Sequence, residues 1–236
     1  MIKTLIYSTY YQLLIFTRLK QALFFTITFP VFLFIVFGSI WGAENKEYIS
    51  FILSGLIGMT VMSDGLFAVG SVIKEYYDNG LIKYFRKLPF NILIHFSGLI
   101  ISRVISLLFT VLLLCIASSL VFDYSVSFIE VKNFIFGIFI GLFLFSFLGL
   151  LITFSGIKEN GKGLINIVYF LILFTSDAFY PVSEFNDLIG LFGNILPLND
   201  ILSILRGTGF NITIVFWLIF SVTGFYFLFN RIKFTR

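Results

Sequence analysis

Long stretches without any Asp, Glu, Lys or Arg constrain the fold of this sequence more than any other feature. Residues 21–43, 104–122, 133–157 and 207–230 are such stretches, and residues 48–73 form another that only Asp64 interrupts. An α-helix needs about 20 apolar residues to cross the hydrocarbon core of a bilayer. Charged residues make up 12% of the chain, whereas a soluble domain carries about 25%. We therefore predict an all-α, polytopic membrane protein.

Six transmembrane helices are expected within a single transmembrane domain over residues 1–236. Their predicted positions are 22–42, 48–72, 92–122, 133–157, 163–181 and 208–230. The fifth is the weakest, because its uncharged run, 163–176, has only 14 residues and must extend over 177–180 to span. Residues 188–198 are apolar but too short to cross, and Pro181 and Pro197 flank them. This pattern predicts a re-entrant extracellular hairpin between helices five and six.

The positions of the 16 Lys and Arg residues predict the orientation of the helices. If the N-terminus is cytoplasmic, the inner segments contain 13 of them and the outer segments contain three, Lys46, Lys132 and Arg206. Cytoplasmic loops of membrane proteins are enriched in basic residues. Both termini are therefore predicted to be cytoplasmic. The abundance of Phe, Ile, Asn and Lys is typical of an AT-rich bacterial genome, which indicates a bacterial cell membrane as the location.

Two cytoplasmic segments are predicted to be amphipathic helices outside the bilayer core. Residues 1–20 form an N-terminal interfacial helix with its polar and apolar residues on separate sides. The polar side contains Thr4, Ser8, Tyr11 and Arg18, and the apolar side contains Leu5, Leu13 and Phe16. Residues 80–88 form the second helix, which carries Lys83, Arg86 and Lys87 opposite its apolar residues. Pro89 ends this helix, because proline cannot continue it.

The sequence contains no arrangement typical of an enzyme. His95 is the only histidine and Cys115 the only cysteine, so an intramolecular disulfide is impossible and a structural zinc site is not expected. Residues 156–163 approach the phosphate-binding loop motif, but Gly163 occupies the position that needs a Ser or Thr hydroxyl. Because this motif is incomplete, any nucleotide hydrolysis is expected on another chain. The basic residues are also too few and too scattered to bind nucleic acid.

Asp64 and Arg103 are charged residues inside predicted membrane helices. A charge at the bilayer centre costs about 2.5–3.5 kcal/mol on insertion scales. One hypothesis is that the two residues pair with each other or face a subunit interface. The alternative is that Arg103 extends toward the inner surface while Asp64 lies in a water-filled crevice. The sequence leaves both open.

Residues 74–89 resemble the cytoplasmic loop of the ABC type-2 permeases, the membrane subunits of many exporters. That loop has an acidic residue, then Gly-Thr-Leu, then basic and leucine positions, then Thr-Pro-Val. Glu75, Gly80 and Pro89 stand at the matching positions, with the Gly-to-Pro spacing kept. Leu81 and Leu88 stand where the family has Thr.

Two outer segments are similar to the same family. Residues 176–181 resemble its Ser-Gly-x-Phe-Phe-Pro, and residues 197–206 resemble its Pro-Leu-Thr-Tyr-x-x-Asp-x-Leu-Arg. This sequence departs from the pattern with Leu196 for Asn, Asp177 for Gly, Asp200 for Tyr and Ser203 for Asp. The resemblance covers nearly the whole chain.

The resemblance implies half of a transport pore, formed with a second permease subunit of the same or a related kind. Each half would dock an ABC ATP-binding subunit that holds ATP and Mg, so that this chain binds no cofactor or metal itself. The residues implied in coupling to that subunit are Glu75, Gly80, Leu81, Lys83, Phe85, Arg86 and Pro89. The residues implied in an outer gate are Ser176, Phe179, Tyr180, Pro181, Pro197, Leu198 and Arg206.

The resemblance implies that the chain transports a hydrophobic or amphipathic cargo, such as a drug, peptide, lipid or glycan, outward across the membrane. The subunit would be surrounded by membrane lipid. The alternative is a non-transporting immunity or sensor protein that binds a toxin or lipid. The second hypothesis predicts activity without any ATPase partner.

Overall fold

The structure, a computed structural model, describes residues 2–42, 45–85, 87, 92–155 and 161–231. Every regular element in these ranges is helical, which confirms the predicted all-α fold. The helices are α1 (Ile2–Arg18), α2 (Lys20–Trp41), α3 (Lys46–Asp78), α4 (Leu81–Phe85), α5 (Ile92–Phe122), α6 (Phe128–Ser155), α7 (Gly161–Thr175), α8 (Val182–Phe185), α9 (Asp187–Ile195), α10 (Pro197–Arg206) and α11 (Ile212–Arg231). The π-helical stretches Phe24–Thr28 and Asp64–Ser71 lie within α2 and α3.

Five helices are long and apolar enough to cross a membrane, namely α2, α3, α5, α6 and α11. The fifth predicted span, 163–181, differs, because α7 ends at Thr175 after 15 residues. The chain turns there, and the carboxylate of Asp177 accepts a hydrogen bond from the backbone N–H of Val182. Helices α9 and α10 meet at 84°. Since a broken span and a re-entrant loop both have such a bend, the hairpin stays a prediction.

Helix α3 lies at the centre of the bundle. Its residues 52–62 are buried on every side of the helix, and it packs against α2, α5, α6 and α10. A helix that is apolar all round is stable only when it is enclosed in this way or exposed to lipid. Helices α2, α5, α6 and α10 therefore surround α3, while α1 packs mainly on α5 and α11 mainly on α6.

The tightest helix contact joins the π-helical part of α3 to α6. A Cβ atom added at Gly70 would lie 2.7 Å from the Cα of Gly149, and one added at Gly149 would lie 2.9 Å from the Cα of Leu66. Glycine on both helices lets the two backbones approach closely, as in other membrane helix pairs. The register between α3 and α6 is fixed by this contact.

Large apolar side chains cover the outside of the bundle. Phe32 in α2, Leu112 in α5 and Phe216 in α11 are each more than half exposed, and many other Phe residues share this position. Soluble monomers rarely expose so much continuous apolar surface. A lipid environment accounts for it, because lipid tails are as apolar as these side chains.

Helix α1 packs along α5, and the predicted apolar residues Leu5, Leu13 and Phe16 lie on its more buried side, but Ser8, which was predicted on the polar side, lies there too. Gln12 and Phe16 are buried and Ser8 is half buried, so residues assigned to opposite sides share one face. The reason is that Ser8 and Gln12 find a hydrogen-bonding partner in His95 of α5. The outward side of α1 is rich in exposed Ile and Tyr residues.

Candidate functional sites

Arg206, at the end of α10, fastens residues 177–206, which we call the hairpin, to the central helix. Its Nη2 donates hydrogen bonds to the carbonyl oxygens of Asp177 at 2.6 Å and Phe51 at 3.4 Å, and its Nε donates to Oγ of Ser54 at 3.0 Å. The guanidinium also lies 3.8 Å from the centroid of the Phe51 ring. Arg206 therefore joins the beginning of the hairpin, its end and α3 at one point.

The turn that begins the hairpin is held from two further sides. The backbone N–H of Asp177 donates to Oδ1 of Asn199 at 2.9 Å, which ties the turn to α10. The Tyr48 hydroxyl donates to the carbonyl oxygen of Phe179 at 3.3 Å, and the Phe179 ring contacts that of Phe37 in α2. The turn thus bridges α2, α3 and α10.

The other residues predicted for an outer gate lie in the same region. Ser176 is buried and its hydroxyl donates to the carbonyl oxygen of Leu173. Pro197 is the first residue of α10 and Leu198 is fully buried behind it. Pro181 precedes α8, and Tyr180 is 42% exposed. These residues lie at one end of the bundle, which we call the hairpin end. Most of them are packed against neighbouring residues there.

The contacts of Arg206 and of the hairpin turn include residues that the sequence did not indicate. Ser54 and Phe51 lie about 150 positions before Arg206 in the chain, and no local pattern marks them as its partners. Asn199 and Asp177 were visible only as part of the outer motifs. The one sequence feature that could have indicated this turn was that Asp177 stands where the family pattern has glycine.

The opposite end of the bundle contains the segment predicted to couple to a partner. Helix α3 ends at Asp78, Gly80 has a φ of 71°, and the short helix α4 follows. Left-handed backbone of this kind favours glycine, which explains why Gly80 stands at the turn. Within the last turns of α3, Lys74 and Asp78 form an ion pair, and Glu75 is exposed beside them.

Only part of the predicted helix 80–88 can be compared with the structure. Leu81 begins α4, whose five residues place Ile82 inward and Tyr84 outward. The predictions for Arg86 and Pro89, and for the side chains of Lys83 and Phe85, fall outside the described residues.

The intramembrane charges are both buried, with Asp64 3% and Arg103 6% exposed. Oδ1 of Asp64 accepts a hydrogen bond from the Thr26 hydroxyl at 3.2 Å. The Arg103 guanidinium lies 4.7 Å from the centroid of the Phe16 ring in α1. Within the described ranges, no nitrogen–oxygen contact of 4 Å or less joins Asp64 to Arg103, so a direct ion pair between them is not formed there.

The sequence matches the profile of the family described as ABC-2 type transporter over residues 4–210. This range runs from α1 to the loop before α11 and includes the segments of both ends just described. None of the curated protein sequences compared with the chain matches it.

Proposed function

The chain belongs to the ABC-2 type transporter family, and we propose that it is the permease subunit of an ATP-driven exporter. Membership in this family makes it a membrane transport subunit. The proposal adds the direction of transport, a separate ATP-binding partner, and a second permease subunit, identical or related, that completes the pore. It also adds the orientation with both termini in the cytoplasm, which the distribution of Lys and Arg supports.

One observation carries the proposal, namely that α3 extends between the two predicted functional ends. It runs for 33 residues from Lys46 to Asp78, a length of about 50 Å at the rise of an α-helix. Near its start it holds the hairpin through Phe51 and Ser54. Its last turn carries Glu75 and leads through Gly80 into α4.

A continuous helix of this kind can transmit a displacement along its length. If the ATP-binding subunit contacts Glu75 and α4 differently in its open and closed states, that difference biases the position of α3. Since Arg206 fastens the hairpin to α3, the same displacement reaches the hairpin end. The hairpin would then act as the outer gate, and the cargo would be hydrophobic or amphipathic.

The test is to co-express the chain with a candidate ATP-binding subunit, purify the complex and measure its ATPase activity in proteoliposomes. We expect Glu75→Gln, and Phe85→Ala in the same segment, to lower co-purification or coupled ATPase activity at least severalfold while the protein stays inserted. Glu47→Gln is the matched control, because Glu47 is an exposed acid in the first turn of α3 and lies outside the hairpin. Full coupled ATPase activity of Glu75→Gln would rule out the assignment of Glu75 to coupling. Biological activity of the chain without any ATPase partner would instead favour a non-transporting binding protein.

A further inference from the structure

A polar cavity lies beside Arg206 at the hairpin end. Its volume is about 460 Å³, which is in the range of sites that hold small ligands or head groups. Asp177, Asp200 and Arg206 line it together with Asn and hydroxyl side chains. Thr208 and Asn211 are exposed at its rim. A cavity lined in this way, in a chain that is 59% hydrophobic, indicates a polar ligand.

Asp200 supplies a buried carboxylate oxygen that has no hydrogen-bond donor among the described residues. The side chain is 2% exposed. Its Oδ1 accepts hydrogen bonds from Nδ2 of Asn211 at 3.0 Å and from the Thr213 hydroxyl at 2.7 Å. Its Oδ2 finds no donor within the described part of the chain. A buried acceptor of this kind is costly unless a donor reaches it.

The charges around the cavity are unbalanced. Two acidic residues, Asp177 and Asp200, line it against one basic residue, Arg206. The Arg206 donors are directed to Phe51, Ser54 and the Asp177 carbonyl, and no described ion pair of 4 Å or less links Arg206 to either carboxylate. The cavity therefore favours a ligand with a positive charge.

The free oxygen of Asp200 distinguishes between kinds of cation. A protonated primary amine offers three N–H donors, and it can bond Oδ2 while its other donors reach amide or hydroxyl oxygens. Ca²⁺ and Mg²⁺ take six or more oxygen ligands, and Zn²⁺ is bound mainly by Cys, His and acidic side chains. The described residues place no third His, Cys, Asp or Glu in a group with these two acids. A quaternary ammonium has no donor for Oδ2.

We propose that this cavity binds a protonated primary amine, which displaces the side chains that cover Oδ2 of Asp200 and takes this oxygen as its acceptor. The amine belongs either to a soluble cationic amphipath or to the head group of an aminophospholipid, since both present the same chemistry. The inference rests on the proposed function, because it assumes that the exporter transports such an amphipath. Binding itself requires no ATP-binding partner, so a failure of coupled transport and a failure of binding are separate results.

The experiment measures binding of octylamine to the full chain in phosphatidylcholine nanodiscs. The chain has two Trp residues, and Trp217 donates from Nε1 to the carbonyl oxygen of Ile195, next to the cavity-lining Asn194. In a Trp41→Phe background, Trp217 fluorescence reports on this region. We expect saturable binding of octylamine, and binding at least tenfold weaker for octanol and octyltrimethylammonium, which lack the charge or the N–H donors.

Asp200→Asn keeps an oxygen for Asn211 and Thr213 but removes the charged acceptor, so octylamine binding should weaken by about tenfold or more. Asp187→Asn is the matched control, because Asp187 begins α9 on the same hairpin and does not line the cavity. Thr208→Phe narrows the rim without changing Asp200 and should also weaken binding, which covers the case in which Asp200→Asn fails to fold.

Three outcomes would overturn the proposal: equal binding of all three probes, unchanged binding in Asp200→Asn, and unchanged binding in Thr208→Phe. Nanodiscs that contain phosphatidylethanolamine separate the two sources of the amine. Competition by this lipid supports the head group as the natural occupant. Octylamine binding without such competition supports a soluble amphipath.

Discussion

The hydroxyl of Thr26 donates a hydrogen bond to Oδ1 of Asp64, and this bond joins the two π-helical stretches of the chain. The carbonyl oxygen of Thr26 in turn accepts a hydrogen bond from the Thr110 hydroxyl at 3.0 Å. π-Helical turns are rare and often occur at functional sites. Here they coincide with a buried polar contact that links α2, α3 and α5 deep in the bundle.

The first prediction concerns Asp64 and Arg103. Oδ2 of Asp64 and Nε of Arg103 are both buried without a described partner, and although no ion pair of 4 Å or less joins the two side chains, their opposite charges attract each other. We expect Asp64→Asn and Arg103→Gln each to lower the free energy of unfolding by about 2–4 kcal/mol, because each leaves one buried charge uncompensated. The double variant should lose at least about 1 kcal/mol less than the sum of the two. A reversible SDS titration of the purified protein measures all three.

Thr26→Val provides the control for this cycle. It removes one hydrogen bond to the Asp64 carboxylate and leaves both charges in place, so it should cost about 1.5–3 kcal/mol and couple to Arg103→Gln less strongly than Asp64→Asn does. Strictly additive losses for Asp64→Asn and Arg103→Gln would mean that the two charges do not interact.

The sequence predicted the architecture because charge-free runs are a direct consequence of the bilayer. Helices α2, α3, α5, α6 and α11 each contain most of one such run, which only Asp64 interrupts in α3. The π-helical stretches were not predictable, since one extra residue in a helical turn leaves no mark in a hydrophobic pattern. The face of α1 was assigned wrongly for Ser8 because amphipathic spacing does not reveal that a polar side chain has a buried partner such as His95.

Site residues that belong to a sequence motif could be predicted. Their contact partners could not, because those partners come from distant parts of the chain and are brought near only by folding. Arg206 belongs to an outer motif, but its acceptors on α3 come from a distant part of the chain. Asp200 was visible as a departure from the family pattern. Its unbonded oxygen and the cavity around it depend on the loop before α11, which brings Asn211 and Thr213 to it.

The second prediction compares two glycines. A Cβ atom at Gly55 of α3 would collide with the carbonyl oxygen of Ala178 in the hairpin turn, whereas one at Gly163 of α7 would meet no atom within 4 Å. We expect Gly55→Ala to lower the free energy of unfolding by about 2–3 kcal/mol, because backbone must move to admit the methyl group. Gly163→Ala should cause no loss, since alanine is the better helix former. Thermal unfolding in detergent distinguishes them, and equal midpoints would contradict the close packing of the turn on α3.

The third prediction concerns Glu130 at the start of α6. Its carboxylate accepts hydrogen bonds from the hydroxyls of Tyr124 and Ser50 and from the backbone N–H of Ser127. The Ser127 hydroxyl oxygen accepts the backbone N–H of Glu130 in return, which is a capping box. We expect Glu130→Ala to cost about 2–3 kcal/mol, because three donors lose one charged acceptor, and Ser127→Ala to cost about 1 kcal/mol.

Glu47→Ala is the matched control for Glu130, since Glu47 is an exposed acid in the first turn of α3. Its effect should stay within about 0.5 kcal/mol, the scale of a charge at a helix N-terminus. If Glu130→Ala is equally mild, the network around Tyr124 contributes little to the connection between α5 and α6.

The fourth prediction tests whether Arg206 fastens the hairpin. Lysine keeps the charge, but its three donors sit on one nitrogen, whereas Arg206 reaches Ser54 from Nε and Asp177 and Phe51 from Nη2. An ammonium group also has no plane to stack on the Phe51 ring. We expect Arg206→Lys to lower the free energy of unfolding by about 2–3 kcal/mol and to speed amide hydrogen exchange across residues 177–206 more than in α6. Arg18→Lys, at the exposed end of α1, should change neither. If exchange in the hairpin of Arg206→Lys equals that of the unchanged protein, other contacts hold the hairpin on α3, and Arg206 cannot be the link that carries a displacement of α3 to the hairpin end.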